Sequence, residues 1–417
     1  MQKAIIVGVN NNNPNFEVEM NELENLALAC DIEVISSATQ NLNTFNPKTY
    51  IGSGKVEEIK LEITSSDAEL VIFNDELSPA QISNLEESLE VTIFDRTYII
   101  LEIFNRRAQT KEAVLQVDIA TLNYLRPRLV GMRKGFSRQR SGAAGSGAYG
   151  RGMGETKLEL DRRKITYEIS KKQRELNEIT KTRLTQRKKR KKNNIPVVSL
   201  VGYTNSGKST TLNQILNYST AVKKDVFQKD MLFATLETAS RLIKLENNHE
   251  FILTDTIGFI NKLPHQLIEA FKSTLEEITE SDLIIHVADL SNPHFEQQIK
   301  ITNDVIKEIG VKEIPIIYAF NKIDNLKDAF VPSEFDNYIT ISALKGTNID
   351  RLIAMIEEKL FAHEELIDFH IPYKDAHLVH VLEENANVLS LEYNNDYIYA
   401  KAIVSPRIKN MLIKYKA

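Results

Sequence analysis

Gly202-Tyr203-Thr204-Asn205-Ser206-Gly207-Lys208-Ser209 satisfies the phosphate-loop pattern G-x-x-x-x-G-K-[ST] in full. It follows the apolar run "PVVSL" and leads into "TTLNQIL", the strand–loop–helix context that the pattern requires. Its glycines allow backbone N–H groups to wrap phosphates, Lys208 offsets β- and γ-phosphate charge, and the Ser209 hydroxyl suits Mg2+. Thr210 belongs to the same nucleotide-contact set.

Four more stretches follow in the order that guanine-nucleotide hydrolysis needs. "LFATLETASR" offers Thr235, flanked by Phe233, Ala234, Leu236 and Glu237, as a loop threonine that closes on Mg2+ and the γ-phosphate. Thr238 is a rival for that role. "DTIG" then supplies Asp255, Thr256, Ile257 and Gly258. Asp255 supports the metal through a water, and the Gly258 N–H meets the γ-phosphate. "NKID" gives Asn321, Lys322, Ile323 and Asp324. The Asp324 carboxylate accepts from guanine N1–H and the 2-amino group, donors that adenine lacks, and mispairing such a site costs about 10⁴-fold. Asn321 contacts the base edge and ties loops together, and the Lys322 stem covers the ring. "SAL", Ser342, Ala343 and Leu344, brings the Ala343 N–H toward guanine O6. Lys208, Thr235 and Gly258 are the expected catalytic groups. The residue after Gly258 is Phe259, where many relatives of this motif set carry the Gln that orients the attacking water. A benzyl ring cannot do that by hydrogen bonding.

The elements that position these motifs can be read from periodicity. Residues 3–96 alternate strand-like runs ("KAIIVGV", "IEVIS", "ELVIFND", "VTIFDR") with helical patterns, which predicts a small parallel α/β domain. Within it, "YIGSGKVEEIK" fails the phosphate-loop pattern at Thr49 and Val56 and reads as a turn into a helix. A phosphate contact through Lys55 is the weaker reading. Residues 105–125 and 157–192 read as two helices that pair as an antiparallel arm. The expected organisation is an N-terminal α/β domain (1–104), a helical arm (105–193) with a Gly-rich loop (126–156), a phosphate-loop domain (194–363) and a small α/β domain (364–417).

Charge is unevenly spread. The 417 residues carry a net −5, yet residues 126–192 hold 22 Lys and Arg against 6 Asp and Glu. Such a block in an otherwise acidic chain is a footprint for a polyanion. Half of the 16 glycines lie between Gly131 and Gly154, interleaved with Arg, Phe136 and Tyr149. Guanidiniums and rings of this kind suit phosphates and unstacked bases. Arg126, Arg128, Arg133, Lys134, Arg138, Arg140 and Arg151 are the candidate RNA contacts. The single cysteine, Cys30, excludes an intramolecular disulfide. No stretch approaches the ~20 apolar residues of a membrane span. A cytoplasmic monomer is expected.

These residues carry a resemblance. "FDRTYIILEIFNRRAQTKEAVLQVDIATLNYLRPRL", "GMGETKLELDRR", "PVVSLVGYTNSGKST", "LFATLETASR" and "DTIGFI" resemble the HflX family of ribosome-associated GTPases over nearly the whole chain. The usual family form of the fourth is nearer "LFATLDPTTR"; here Glu237 and Ala239 depart from it. The resemblance implies a GTPase that binds the large ribosomal subunit, reaches ribosomal RNA through its arm loop, and splits or rescues stalled ribosomes. It implies a hydrophobic residue in place of the catalytic Gln, as Phe259 is, and a potassium ion beside the phosphates at Asn205. It also raises an alternative: an RNA-remodelling protein driven by ATP at the N-terminal domain, with GTP regulatory.

Overall fold

The computed structural model describes residues 1–129, 150–193, 195–220, 239–311, 313–326 and 335–417. The chain divides into two units. The first takes in Met1–Gln186 and returns at Ile260–Ser273; the second holds most of the remainder to Ala417.

In the first unit, β1 (Gln2–Asn10), β2 (Ile32–Asn41), β3 (Leu70–Phe73) and β4 (Thr92–Asp95) form an all-parallel sheet of order β2-β1-β3-β4. Helices α1 (Phe16–Ala29), α2 (Ser53–Ser66), α3 (Pro79–Leu89) and α4 (Arg96–Arg107) connect and cover it. β3 is buried at every position, as expected of a parallel strand covered on both faces. Ser78 caps α3 in a reciprocal capping box with Gln81, and Pro79 opens the helix. The "IGSGK" stretch is a turn: Gly52 caps α2, its N–H donates to Gln40 Oε1 at 2.9 Å, and Lys55 pairs with Glu58.

The helix expected over 105–125 is two. α4 ends at Arg107, and α5 (Lys111–Leu125) starts afresh because the Thr110 hydroxyl accepts from the Ala113 N–H. The next helix, α6 (Gly150–Asn193), begins inside the stretch expected to be loop. Lys172 meets Asp118 at 2.6 Å and Lys111 faces Glu175, pairings that run α5 and α6 antiparallel.

Ile260–Ser273 follows "DTIGF" directly in sequence and packs within this first unit. Lys262 Nζ lies 2.7 Å from Glu19 and 2.6 Å from Asp75. Asn261 donates to Glu19, and its carbonyl accepts from Arg96. Burial works against ionisation of Glu19, but its bonds with Lys262 and Asn side chains hold its pKa below the usual value.

In the second unit, β5 (Val197–Val201), β6 (Ala239–Lys244), β7 (Glu250–Asp255), β8 (Leu283–Asp289), β9 (Ile316–Asn321) and β10 (Tyr338–Thr340) make a six-stranded sheet of order β10-β9-β8-β5-β7-β6. Only the β6–β7 pair is antiparallel. Helices α7 (Lys208–Leu216), α10 (Phe295–Glu308) and α11 (Ile349–Leu360) flank it; α8 (His265–Ala270), which packs in the first unit, and α9 (Lys272–Thr279) precede β8 in sequence. The core joins Val198 and Leu200 of β5 to Leu212 and Ile215 of α7 and to Leu352 and Ile356 of α11. A small domain follows: β11 (Glu365–Pro372), α12 (His377–Asn385), β12 (Asn387–Tyr393), β13 (Tyr397–Val404) and α13 (Pro406–Leu412), with an antiparallel sheet of order β11-β13-β12. The strict alternation of β13 buries Ile398, Ala400, Ala402 and Val404 under its helices.

Candidate nucleotide site and its family

The loop between β5 and α7 uses three backbone conformations that most side chains avoid. Gly202 has φ +150°, Asn205 +59° and Gly207 +94°. At Gly207 a Cβ would stand 2.2 Å from Asn321 Nδ2, so glycine is required by both dihedral and space. The Lys208 ammonium folds back on its own loop, donating to the Tyr203 carbonyl at 2.7 Å and the Gly202 carbonyl at 3.1 Å. Burial lowers its pKa to about 8, opposed by the charge of Asp255.

Asp255 ends β7 fully buried, and the Ser209 hydroxyl donates to its Oδ2 at 2.6 Å. A hydroxyl and a carboxylate so close at the start of α7 form a hard-oxygen donor set that fits Mg2+. Thr256 is buried with its hydroxyl on the Leu200 carbonyl, and Ile257 is buried beside it. At Gly258 a Cβ would come within 3.1 Å of Lys208 Nζ and of Thr204, so a larger residue would require those neighbours to give way. Phe259 is 1% exposed. Its N–H donates to the Gly202 carbonyl and its carbonyl accepts from the Thr204 N–H at 2.8 Å, which staples "DTIGF" to the phosphate loop. The ring is closed off from solvent and cannot meet a hydrolytic water.

Asn321 binds three loops together. Its Nδ2 donates to the Ser206 carbonyl and its Oδ1 accepts from the Ala343 N–H, both at 2.9 Å. The Ala343 N–H, expected at guanine O6, is thus engaged by Asn321 in this structure. Ser342, fully buried, donates to Asp324 Oδ1 at 2.6 Å, and that bond is the main cause of a lowered Asp324 pKa. Lys322 adopts φ +65° and pairs with Asp289 at 2.8 Å. Ile323 and Asp324 sit in the short turn Ile323–Asn325. Thr210 is half-buried, Asn205 is exposed, and Leu344 is 75% exposed.

Two neighbours escaped the sequence reading. Asp289 lies opposite Asn321 in the β8–β9 register, a pairing visible only once the sheet is assembled. His286 of β8 is held neutral, its pKa lowered to about 3 by burial and secondarily by the charge of Lys208, against a bond to Asn303.

Phe233, Ala234, Thr235, Leu236, Glu237 and the rival Thr238 lie outside the described residues, as do Arg133, Lys134, Arg138 and Arg140. Arg151 falls in α6. Arg126 is exposed at the end of α5. Arg128 needs correcting as an RNA contact. It is 8% exposed, donates to the Tyr124 and Leu77 carbonyls, reaches Glu76 and Asp95, and lies 3.6 Å over the Tyr124 ring. Its charge is taken up inside the unit, where it faces a fully buried carboxylate.

Residues 17–105 match the family described as GTP-binding GTPase N-terminal, 107–190 the GTP-binding GTPase Middle Region, and 197–322 the 50S ribosome-binding GTPase. A GTPase HflX from Caldanaerobacter subterraneus subsp. tengcongensis is 44% identical over 99% of this chain and 93% of its own length. The GTPase HflX of Escherichia coli is 36% identical over 90% and 87%. A crystal structure of a GTP-binding protein from the archaeon Sulfolobus solfataricus in complex with GDP aligns with 87% of this chain and 99% of its own, at 24% identity and a TM-score of 0.44. With the phosphate loop, the Ser209–Asp255 pair and the Asp324 turn following the C-terminal ends of β5, β7 and β9, and with these matches, the chain is a GTPase and belongs to the HflX family.

Proposed function

We propose that this GTPase binds the large ribosomal subunit and uses its GTP switch to split or rescue stalled ribosomes. The observation that carries the reading is the match of residues 197–322 to a family described as a 50S ribosome-binding GTPase. The basic block at 126–192 supports it by supplying charge for ribosomal RNA apart from the phosphate loop. Exposed Arg126 and the basic residues from Arg133 to Arg151 are the proposed RNA contacts.

Lys208, Ser209 and Thr235 would hold the γ-phosphate and Mg2+, Asp255 would support the metal, and Gly258 would report phosphate loss. Mg2+ neutralises phosphate charge when bound; the chain's part is to aim oxygen donors and exclude solvent. With the Phe259 ring shut away, the water is aimed by a ribosomal element, a backbone group or a potassium ion at Asn205. Binding takes place in the cytoplasm, and the protein acts as a monomer.

The test is light scattering from assembled ribosomes mixed with the protein and a non-hydrolysable GTP analogue. Scattering should fall as subunits separate, and should not fall with GDP or with Ser209→Ala. Equal scattering in every arm would refute the splitting role.

A further inference from the structure

Beside the "NKID" turn stands a carboxylate that no motif names. β8 ends on Asp289, and the chain leaves it through Leu290, Ser291 and Asn292 toward α10. This exit is bolted to the start of "NKID". Asp289 lies opposite Asn321 in the β8–β9 ladder, and the Leu290 N–H donates to the Asn321 carbonyl at 3.0 Å. Leu290 and Phe320 are buried in one apolar cluster, with Ile323 packed against it.

The Asp289 carboxylate is held from two sides. Its Oδ1 accepts from the Ser291 N–H at 3.0 Å and from the Ser291 hydroxyl at 2.6 Å. The Asn292 N–H closes the turn on the Asp289 carbonyl at 3.1 Å. Oδ2 faces Lys322, whose Nζ lies 2.8 Å away. The pair is largely shielded from water, with the Asp289 side chain 16% exposed and that of Lys322 26%. It therefore differs from the fully exposed pairs that contribute little.

Lys322 needs such an anchor. Its backbone is left-handed at φ +65°, a conformation that residues with a Cβ seldom adopt. A free lysine stem samples many rotamers, and ordering it opposes binding. With the ammonium on Asp289 and the Cα fixed in the turn, both ends of the stem are set. Asp324, the carboxylate assigned to the guanine edge, stands two residues further on in the same turn.

We propose that Asp289 is a positioning residue of the base site: it pins the Lys322 ammonium so that the lysine stem is laid out in advance as the apolar wall on which the guanine ring stacks, with Ser291 holding the carboxylate in place. This rests on the assignment of Lys322 and Asp324 to the base. An apolar stem whose charge is held elsewhere can lie along a flat ring. Ordering it before the ligand arrives removes that penalty from binding. The contribution is blind to the number of phosphates, because GTP and GDP present the same base. It is also blind to the 2-amino group, which is the task of Asp324. Electrostatics alone gives the opposite sign, since removing a carboxylate from a site for a polyanion should tighten binding.

Calorimetry on the full chain with Mg2+ tests this, using GDP, a non-hydrolysable GTP analogue, inosine diphosphate and, by displacement, inorganic tripolyphosphate. Asp289→Asn can still accept both bonds from Ser291 but offers the lysine no charge. It should weaken the three nucleotides by one common factor of about three to ten, the range for a long side chain no longer ordered in advance. Tripolyphosphate should bind as before. Ser291→Ala should show the same pattern with a smaller factor. Lys322→Met keeps an apolar stem without the ammonium, and in that background Asp289→Asn should cause no further loss. Unchanged or tighter nucleotide binding by Asp289→Asn would overturn the proposal. So would a parallel loss of tripolyphosphate, or losses that add in the double variant. Asp324→Asn separates the proposal from the assignment beneath it. An unchanged ratio of GDP to inosine diphosphate affinity in that variant overturns the base assignment and the proposal with it. A ratio that moves while Asp289→Asn binds like the wild type overturns the proposal alone.

Discussion

The chain writes Ser-Gly-Lys twice at the start of a helix, at Ser53–Lys55 and at Ser206–Lys208, and builds two different things from it. In the first, Gly52 is an ordinary extended cap, the helix begins at Ser53, and Lys55 leans along its surface to Glu58. In the second, the helix begins only at Lys208, after a loop with three positive φ angles turns carbonyls and N–H groups inward. There the lysine is buried on the Gly202 and Tyr203 carbonyls, and Asn321 braces the loop from outside. Residue types alone do not make an anion cradle. The number of residues between strand and helix, and the left-handed turns they allow, decide whether the first N–H groups encircle a ligand or cap a helix.

Four substitutions sharpen that contrast. Lys208→Ala removes the buried cation that faces phosphate, and truncating such a partner costs about 2–5 kcal/mol, so GTP affinity by calorimetry should fall at least thirtyfold. Gly207→Ala places a Cβ against Asn321 in a left-handed conformation that costs roughly 1–2 kcal/mol before any clash, so both nucleotide affinity and melting temperature should drop. Gly54→Ala, where a Cβ meets nothing within 4 Å inside α2, should instead stabilise by about 0.4–1 kcal/mol with GTP binding unchanged. Lys55→Ala should be the smallest, within about 0.5 kcal/mol in stability and neutral for GTP. Loss of GTP binding in Lys55→Ala would break the comparison.

A pH series probes the guanine end. The bond from Ser342 holds the Asp324 pKa below the ordinary carboxylate value, so its charge persists as pH falls and is lost only through that lowered value. Ser342→Ala should move the loss of GTP affinity to higher pH. Titrations that superimpose for the two proteins would exclude the role assigned to Ser342.

How much was legible in the sequence follows from how local each feature is. The phosphate loop, "DTIG" and "NKID" are short stretches whose chemistry depends on their own spacing, and the structure gathers them at the C-terminal ends of β5, β7 and β9. Thr110 breaks a helix through a single side-chain cap, a signal weaker than the apolar periodicity around it. Arg128 read as a surface cation because its partners Glu76, Leu77 and Asp95 lie more than 30 residues away. The pairing of Lys262 with Glu19 and Asp75 is equally non-local, so the sequence placed Ile260–Ser273 with the phosphate-loop domain while its contacts are in the first unit. The left-handed turn at Asn205 and the engagement of the Ala343 N–H by Asn321 arise only from the folded backbone, where Asn321 meets residues far from it in sequence.

Phe259 is stapled to the phosphate loop with its ring buried, so the side chain after Gly258 does not aim the hydrolytic water. The most direct test is single-turnover GTP hydrolysis by the full chain in potassium buffer, with and without purified large ribosomal subunits. Hydrolysis should be slow alone and at least tenfold faster with subunits; groups supplied in trans reach about 10⁵-fold in other GTPases. A free protein that is already fast, or one whose rate does not change with subunits, would contradict it.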